Sequence, residues 1–189
     1  MSGHADTLHS RKALPDALRV LLADYPREGW ESHGNFDGLT RFWLERHLMF
    51  RDLQEKLQQE ARAYLSGLSE PLAFAQQAHR LGGFLIQQLH GHHQIEDHHY
   101  FPVLAQAEPR LERGFALLDA DHHTLDAELQ ALTGAFNDTL RPLSTGAPAR
   151  DQAAQLEERL TAFGGFLDRH LSDEEDLVVP VILHHTPRL

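Results

Sequence analysis

Apolar residues recur at alternating steps of three and four along most of this chain, and that spacing is its strongest constraint on folding. Such steps place apolar side chains on one stripe of an α-helix, which must be buried against other helices. Strand signals are nearly absent, because the one β-branched cluster, at 178–182, contains Pro180. Long helices with short links are typical of an antiparallel up-down four-helix bundle. The chain is therefore predicted to be all-α, with long helices over 37–65, 71–105, 109–140 and 149–183.

The first 36 residues are predicted to form a separate N-terminal region. A short extra helix is expected from about Arg11 to Tyr25, ending before Pro26, because proline cannot continue a helical hydrogen-bond ladder. A loop rich in Gly, Asn and Ser follows it. The predicted organisation is therefore an N-terminal helix and loop over 1–36, followed by the four-helix bundle over 37–185.

Composition excludes several classes of function. The chain has no cysteine, which rules out disulfides, thiolate metal sites and cysteine nucleophiles. Its net charge of -11 disfavours binding to nucleic acid, which is itself a polyanion. The first 25 residues are too rich in charge for a signal peptide, and no run approaches the roughly 18 apolar residues that cross a bilayer. We therefore expect a cytoplasmic protein without nucleic-acid or membrane partners.

Histidine is frequent, with 15 residues, and each predicted long helix places at least one histidine on its apolar stripe. Two of these helices add a glutamate four residues after the histidine, one turn along the same face. A buried carboxylate is very costly unless it is paired or binds a cation. The pattern predicts a pair of metal ions bridged by carboxylates, with imidazoles in the outer positions. The predicted metal ligands are His47, His92, Glu96, His122, His170 and Glu174.

Adjacent histidines compete for two of these positions. His122 lies in the stripe of its helix, whereas His123 shares a wet face with acidic residues, so His122 is preferred. His92 is preferred to His93 because it aligns with Glu96 and with the stripe. The preference for His92 has weaker support than that for His122, since His93 also shares a helix face with apolar residues.

Three other side chains are possible additional ligands. His99 continues the second stripe one turn beyond Glu96, where a hydrogen-bonded core histidine is favoured over a ligand. His33 lies in the entry loop, where a surface position is favoured over a cap on the metal site. For Asp126, metal ligation and simple contact with solvent are equally open.

An internal repeat bears on the choice of the second bridging carboxylate. The pattern His92-x-x-x-Glu96 recurs as His170-x-x-x-Glu174, and a second acidic residue and then a proline follow each copy. Two helix pairs related by a pseudo-twofold axis would bring both copies to one site. The repeat favours Glu174 as the bridge, with Glu175 as the alternative.

The segments HHQIEDHHYFP, at 92–102, and HLSDEE, at 170–175, resemble the two signature segments of the hemerythrin-like HHE cation-binding family. The ligand spacing within 37–183 also resembles that of the bacterial iron–sulfur cluster repair di-iron proteins. The resemblance implies a four-helix bundle that holds two non-haem iron ions, joined by an oxo or hydroxo bridge. The implied terminal ligands are His47, His92, His122 and His170, and the implied bridging carboxylates are Glu96 and Glu174.

The chain departs from its relatives in three respects. Where animal oxygen-carrying hemerythrins have a second histidine on the third helix, this chain has Asp126, which predicts one imidazole fewer. Those proteins end with His-x-x-x-x-Asp, whereas here Glu174 and Glu175 follow His170 at the fourth and fifth positions. The cluster repair proteins carry a cysteine-containing N-terminal domain, and this chain contains no cysteine.

Three functions are compatible with this pattern. We favour a protein that binds or senses O2, NO or peroxide, because the predicted ligands leave coordination positions open and apolar surroundings limit proton access. The alternative is an enzyme, either a di-iron oxidase or peroxidase or an NO-stress or iron-repair protein, and additional carboxylate ligands would favour it. The third is a structural or storage metal site, or a pH-responsive histidine cluster. The apolar residues predicted to line the ligand pocket are Trp43, Phe50, Leu89, Leu125 and Leu167.

Overall fold

The computed structural model of this chain describes residues 7–189. All regular structure in that range is helical, as predicted, and four long helices dominate it. None of the described helices is long and apolar enough to span a membrane. The main elements are α1 (Gly38–Leu65), α2 (Pro71–Ile95), a π-helical turn (Glu96–Tyr100), α3 (Phe101–Ala107), α4 (Glu112–Ser144) and α5 (Arg150–His185).

The described residues divide into two compact units. The first contains residues 7–48, 92–124 and 168–189, and the second contains residues 49–91 and 125–167. A segment of each long helix lies in each unit, so each unit buries its own portion of the apolar stripes. Buried side chains of the first unit include Trp43, Phe101, Leu118, Leu177 and Val181. Buried side chains of the second include Phe50, Leu57, Phe74, Leu132 and Phe163.

Capping by Asp37 explains why α1 begins where the sequence predicts. One side-chain oxygen of Asp37 accepts hydrogen bonds from the backbone N–H and the hydroxyl of Thr40, both at 2.7 Å. These hydrogen bonds hold the pKa of the Asp37 carboxyl below its ordinary value. After the helix, Gly67 has a φ of 73°, a left-handed conformation that glycine adopts without strain and that commonly follows a helix end.

The second predicted helix is interrupted by the π-helical turn, which Pro102 closely follows. Proline has no N–H to continue an α-helical ladder, and the wider turn carries the chain past that missing donor. Because a π turn holds an extra residue, the buried stripe steps by five from Glu96 to Phe101 instead of by three to His99. His99 is exposed, so the prediction of a core histidine there is wrong.

The predicted N-terminal helix over residues 11–25 is wrong, because the segment contains only turns and one 3-10 turn, Asp16–Leu18. Pro15 cannot continue a helix. The backbone N–H of Leu14 donates to Asp173 Oδ1 at 3.1 Å instead of to a helical carbonyl. Tertiary packing, rather than helical hydrogen bonding, holds the segment in place. Its side chains in the core of the first unit are Leu14, Leu18 and Leu21.

The last two long helices continue beyond their predicted ends. α4 runs through Pro142 to Ser144, and Leu143 of that last turn is buried. α5 runs through Pro180 to His185, although proline in a helix interior removes one backbone hydrogen bond. Burial of the apolar side chains around each proline offsets that loss, which periodicity alone does not reveal.

Candidate metal centre

All six predicted ligands lie buried within the first unit. α1 and α4 contribute one histidine each, while the end of α2 with the π turn contributes a histidine and a glutamate, and α5 contributes another such pair. The donor atoms form two groups, and within each group they lie within 4.8 Å of one another. The first group is His47, His92, Glu96 and Glu174, and the second is His93, His122 and His170.

Short distances join the donors of the first group. His47 Nε2 lies 3.1 Å from His92 Nε2 and 3.4 Å from Glu174 Oε2. His92 Nε2 lies 3.1 Å from Glu96 Oε1, and the indole N–H of Trp43 donates to the same oxygen at 2.6 Å. Imidazole nitrogens and carboxylate oxygens therefore converge on one small volume, as the ligands of a metal ion do.

The second group consists of three imidazoles in mutual contact. The His93 ring stacks on that of His122 with centroids 4.0 Å apart, and the His170 ring meets both edge-on. The Nε2 atoms of His122 and His170 lie 3.3 Å and 3.4 Å from Glu174 Oε1. A carboxylate oxygen therefore accompanies this group as well.

Both glutamates face the two groups at once. Glu174 directs Oε2 toward His47 and Oε1 toward His122. Glu96 directs Oε1 toward His92, and its Oε2 lies 3.7 Å from His122 Nε2. Each glutamate presents one oxygen to each group, which is the arrangement that a bridging carboxylate requires.

The sequence pattern favours His92 over His93 as the metal ligand. The structure brings both His92 and His93 into the candidate donor groups. A signal existed, because Leu89, His93 and Glu96 follow steps of four and three, just as Leu89, His92 and Glu96 follow three and four. The stripe is wide enough to hold both. His93 also supplies a fifth imidazole, so the shortage predicted from Asp126 does not arise.

Three of the possible additional ligands lie outside both groups. The carboxylate of Asp126 lies 3.5 Å from the exposed His90 ring. The half-buried ring of His33 packs against Tyr25, with centroids 5.4 Å apart. His99 is exposed beyond the start of the π turn. The structure does not bring these side chains to the metal centre.

Glu175, the alternative bridge, contacts a ligand histidine from its outer side. Its Oε1 lies 3.1 Å from Nδ1 of His47, whereas Nε2 of that ring faces the other donors. A carboxylate at Nδ1 fixes the tautomer and orientation of a metal-binding imidazole. Asp97 likewise contacts Nδ1 of His122 at 2.7 Å, and Asp121 lies 3.6 Å from Nδ1 of His170, beyond hydrogen-bond length.

Part of the centre is driven toward the neutral state. Burial and the neighbouring imidazoles lower the pKa values of His92 and His93 well below the ordinary value. Burial and the nearby charge of Glu174 raise the pKa of Glu96 well above its ordinary value. Neutral imidazole is the form that binds a metal ion. His92 and His93 therefore need not lose a proton before they bind a metal ion at neutral pH.

The other part of the centre is driven toward the charged state. Burial opposes the charged forms of His122 and His170, but the carboxylates beside them outweigh it and raise both pKa values to about 9. Despite its burial, those two histidines hold the pKa of Glu174 well below the ordinary value. A buried carboxylate therefore sits among cationic partners, the role that metal ions would fill.

Several buried donor atoms lack hydrogen-bond partners, which tests whether these residues fit a metal pair. A buried polar atom without a partner costs about 1–3 kcal/mol, and bound metal ions would satisfy such atoms. Nitrogen and oxygen donors without sulfur suit iron, manganese or zinc. The residues present therefore fit a pair of metal ions. At this centre the unpartnered atoms are both ring nitrogens of His93 and of His170, of which each ring can offer one to a metal ion, and the Oε2 atoms of Glu96 and Glu174. The other unpartnered side-chain atoms within residues 7–189 are the Nε atoms of Arg19 and Arg169.

The helical fold and its two donor groups define a protein built to bind metal cations. The family model of the hemerythrin HHE cation-binding domain matches residues 38–182, so the chain belongs to this family. Comparison with curated proteins and with solved structures finds no significant match. The family match covers all the elements that carry the two donor groups and starts after the N-terminal segment, residues 7–37.

His93→Gln is expected to cost the centre one of its two metal ions, because the second group loses an imidazole while the first keeps all its donors. The measurement is metal content per chain after anaerobic reconstitution with Fe(II). His123→Gln is the matched control, since His123 is exposed, belongs to neither donor group and contacts the Asp119 carbonyl on its own helix. Equal iron content in His93→Gln and in the unaltered protein would show that His93 is not a ligand.

Proposed function

We propose that this chain is a non-haem di-iron protein that binds or senses a small ligand, O2, NO or peroxide, at a carboxylate-bridged metal pair. The observation that carries the proposal is the placement of Glu96 and Glu174, each with one oxygen toward each donor group. Membership of a cation-binding family supports metal binding in general. Carboxylate-bridged metal pairs in helical bundles are typically iron or manganese, and the family favours iron.

The two donor groups are unequal, which bears on where a ligand would bind. If both glutamates bridged, an ion in the first group would be held by two imidazoles, those of His47 and His92, and an ion in the second group by three. An octahedral ion would therefore keep more open positions in the first group. The iron pair, when bound, supplies the redox chemistry, and we propose that the small ligand binds on the side of His47 and His92.

Apolar side chains lie on one side of the first group, and they support reversible binding over oxidation because they limit the entry of protons from solvent. Trp43 is buried, and its one polar atom is engaged by Glu96. A small, largely apolar cavity lies on another side of Trp43, lined also by Tyr100, Val178 and Ile182. The other residues predicted around the pocket, Phe50, Leu89, Leu125 and Leu167, are buried as well.

The distribution of carboxylates favours a carrier or sensor over the alternative, a di-iron oxidase, peroxidase or NO-stress and iron-repair enzyme. Extra carboxylate ligands would favour oxidative turnover, and the sequence offered Asp126 and Glu175 for that purpose. Asp126 lies beside His90 instead, and Glu175 contacts the outer nitrogen of His47. Neither adds an oxygen to the two donor groups.

Metal content and an optical spectrum of the aerobically purified protein test this proposal first. We expect about two irons per chain, as in carboxylate-bridged pairs of helical bundles. Near-ultraviolet bands of the iron pair should bleach with dithionite and return with O2. Absence of iron after anaerobic reconstitution, or zinc without a redox response, would contradict the proposal and favour a structural or storage site.

Ligand identity and turnover need a second measurement on the reduced protein. Separate samples receive O2, NO or hydrogen peroxide, and the spectrum and ligand consumption are followed together. Stoichiometric uptake, reversed when the gas is removed, is the expected result for a carrier or sensor. Consumption of many equivalents of O2, NO or peroxide per chain would favour the enzyme alternative.

A further inference from the structure

Two arginines of the N-terminal segment contact the carboxylates that lie behind the metal-facing histidines. Arg11 and Arg27 both precede residue 38, where the family match begins. Arg27 reaches Glu175, and Arg11 reaches Asp121. The family match accounts for the donors but not for these two cations.

The Arg27 contacts lead to the first donor group. Its Nη1 donates to Glu175 Oε2 at 2.6 Å, and the other oxygen of Glu175 lies 3.1 Å from His47 Nδ1. Its Nε donates to Asp176 Oδ1 at 2.7 Å, and its Nη2 donates to the Ser172 carbonyl at 3.0 Å. These bonds hold the guanidinium at several points along α5, so Glu175 is held from one side while its other oxygen faces the imidazole.

The Arg11 contacts lead to the second donor group. Its guanidinium binds both oxygens of Asp121, with Nη1 2.8 Å from Oδ1, and its Nε donates to Asp173 Oδ2 at 2.8 Å. Asp121 Oδ2 lies 3.6 Å from His170 Nδ1. The Arg11 side chain is only 3% exposed, so this cation is part of the core of the unit.

A fixed carboxylate at Nδ1 does two things to a metal-binding imidazole. It keeps the ring oriented so that Nε2 points at the metal, and it raises the basicity of that nitrogen. An unrestrained glutamate or aspartate has rotamers in which its carboxylate no longer contacts Nδ1. A guanidinium bound to the carboxylate restricts the side chain to fewer rotamers. The two arginines thus act on different donor groups through different carboxylates.

We propose that Arg11 and Arg27 are positioning residues by which the N-terminal segment orients His170 and His47 for metal binding. The inference rests on the proposed di-iron function. It assigns the segment a role in the affinity of the centre, with Arg27 acting on the ion of the first group and Arg11 on the ion of the second.

Arg27→Gln in the full chain is the sharper of the two tests, because the Arg27 side chain is 41% exposed whereas that of Arg11 is 3% exposed. Glu175, at 8% exposure, loses a counterion in this variant, so stability is measured alongside metal affinity. Anaerobic titration with Fe(II) against a competing chelator gives the affinity of each ion, and calorimetry of the metal-free protein gives its melting temperature. We expect one of the two ions to bind about 10-fold more weakly, the lower range for loss of an outer partner. The second ion and the melting temperature should change little.

Two further variants make the result specific. Arg27→Lys keeps the charge without the bidentate geometry and is expected to restore part of the lost affinity. Arg19→Gln is the matched control, because Arg19 lies on the same segment and, among residues 7–189, forms its ion pair with Asp16.

Unchanged Fe(II) affinity in Arg27→Gln would overturn the inference while leaving the proposed function standing. An affinity loss that equals the loss of stability in the metal-free protein would also overturn it, since Arg27 would then act only on folding. Failure of the unaltered protein to bind Fe(II) is a separate outcome, which would overturn the proposed function and this inference together.

Discussion

Replacing Glu174 with glutamine is expected to abolish binding of both metal ions, the largest functional effect of any single change in this chain. Glu174 is the one side chain within hydrogen-bonding range of three metal-facing histidines, and its two oxygens face different groups. An amide cannot supply two anionic oxygens. The loss of affinity should exceed the ~10–100-fold that removal of an outer partner typically costs. Iron content after anaerobic reconstitution measures it.

Glu175→Gln is the matched control for this experiment, because it makes the same chemical change one residue further along α5. Glu175 contacts the outer nitrogen of His47 and belongs to neither donor group, so both ions should still bind, one of them about 10–100-fold more weakly. The reverse result, with Glu175→Gln losing both ions and Glu174→Gln keeping them, would assign the bridge to Glu175.

Arg11→Gln is expected to lower the free energy of unfolding by about 3–5 kcal/mol, the largest effect on stability. Arg11 is the buried cation that pairs with both Asp121 and Asp173. Its removal leaves buried Asp121 and Asp173 without the cation that contacts both, while Arg169 still lies 3.4 Å from Asp173 and His170 lies 3.6 Å from Asp121. Loss of a buried counterion is far more costly than loss of a surface pair. Urea unfolding of the metal-free protein measures the change. Arg19→Gln, at an exposed pair, should stay within about 0.5 kcal/mol of the unaltered protein.

The stability difference between Arg11→Gln and the unaltered protein should depend on pH. Although burial opposes it, Arg11 and His170 hold the pKa of Asp121 below its ordinary value in the folded state. A lowered pKa gives stability that is fully present above the unfolded value of about 3.9 and is lost as pH falls through the folded value. The gap should therefore be wide at pH 6 and narrow below about pH 4. A gap that is the same at both values would contradict this account.

Sequence periodicity was sufficient to predict four long helices and the burial of six chemically active side chains. The physical reason is that a helical stripe is a local property, set by 3.6 residues per turn and by the cost of exposing apolar surface. His47, His122 and His170 interrupt otherwise apolar stripes, so their burial follows from the same pattern. The need of buried glutamates for cations is equally local, because desolvation penalises any isolated carboxylate.

Tertiary structure alone decided the details on which the chemistry depends. A stripe has width, so periodicity could not decide between His92 and His93, and both join the donor groups. The repeat favoured Glu174 over Glu175, and the structure places Glu175 at the outer nitrogen of His47. The π turn moved His99 out of the stripe, since one extra residue in a turn changes every later position.

The contacts of the N-terminal segment likewise could not be predicted from the sequence. Arg11 meets Asp173 across more than 150 positions of chain, and no local pattern encodes such a pair. Local helical preference predicted a helix where Pro15 and the bond from Leu14 to Asp173 produce turns instead. The order of residues along one helix determines its periodicity and therefore which face is buried. The pairing of charges between distant segments forms only once the chain has folded.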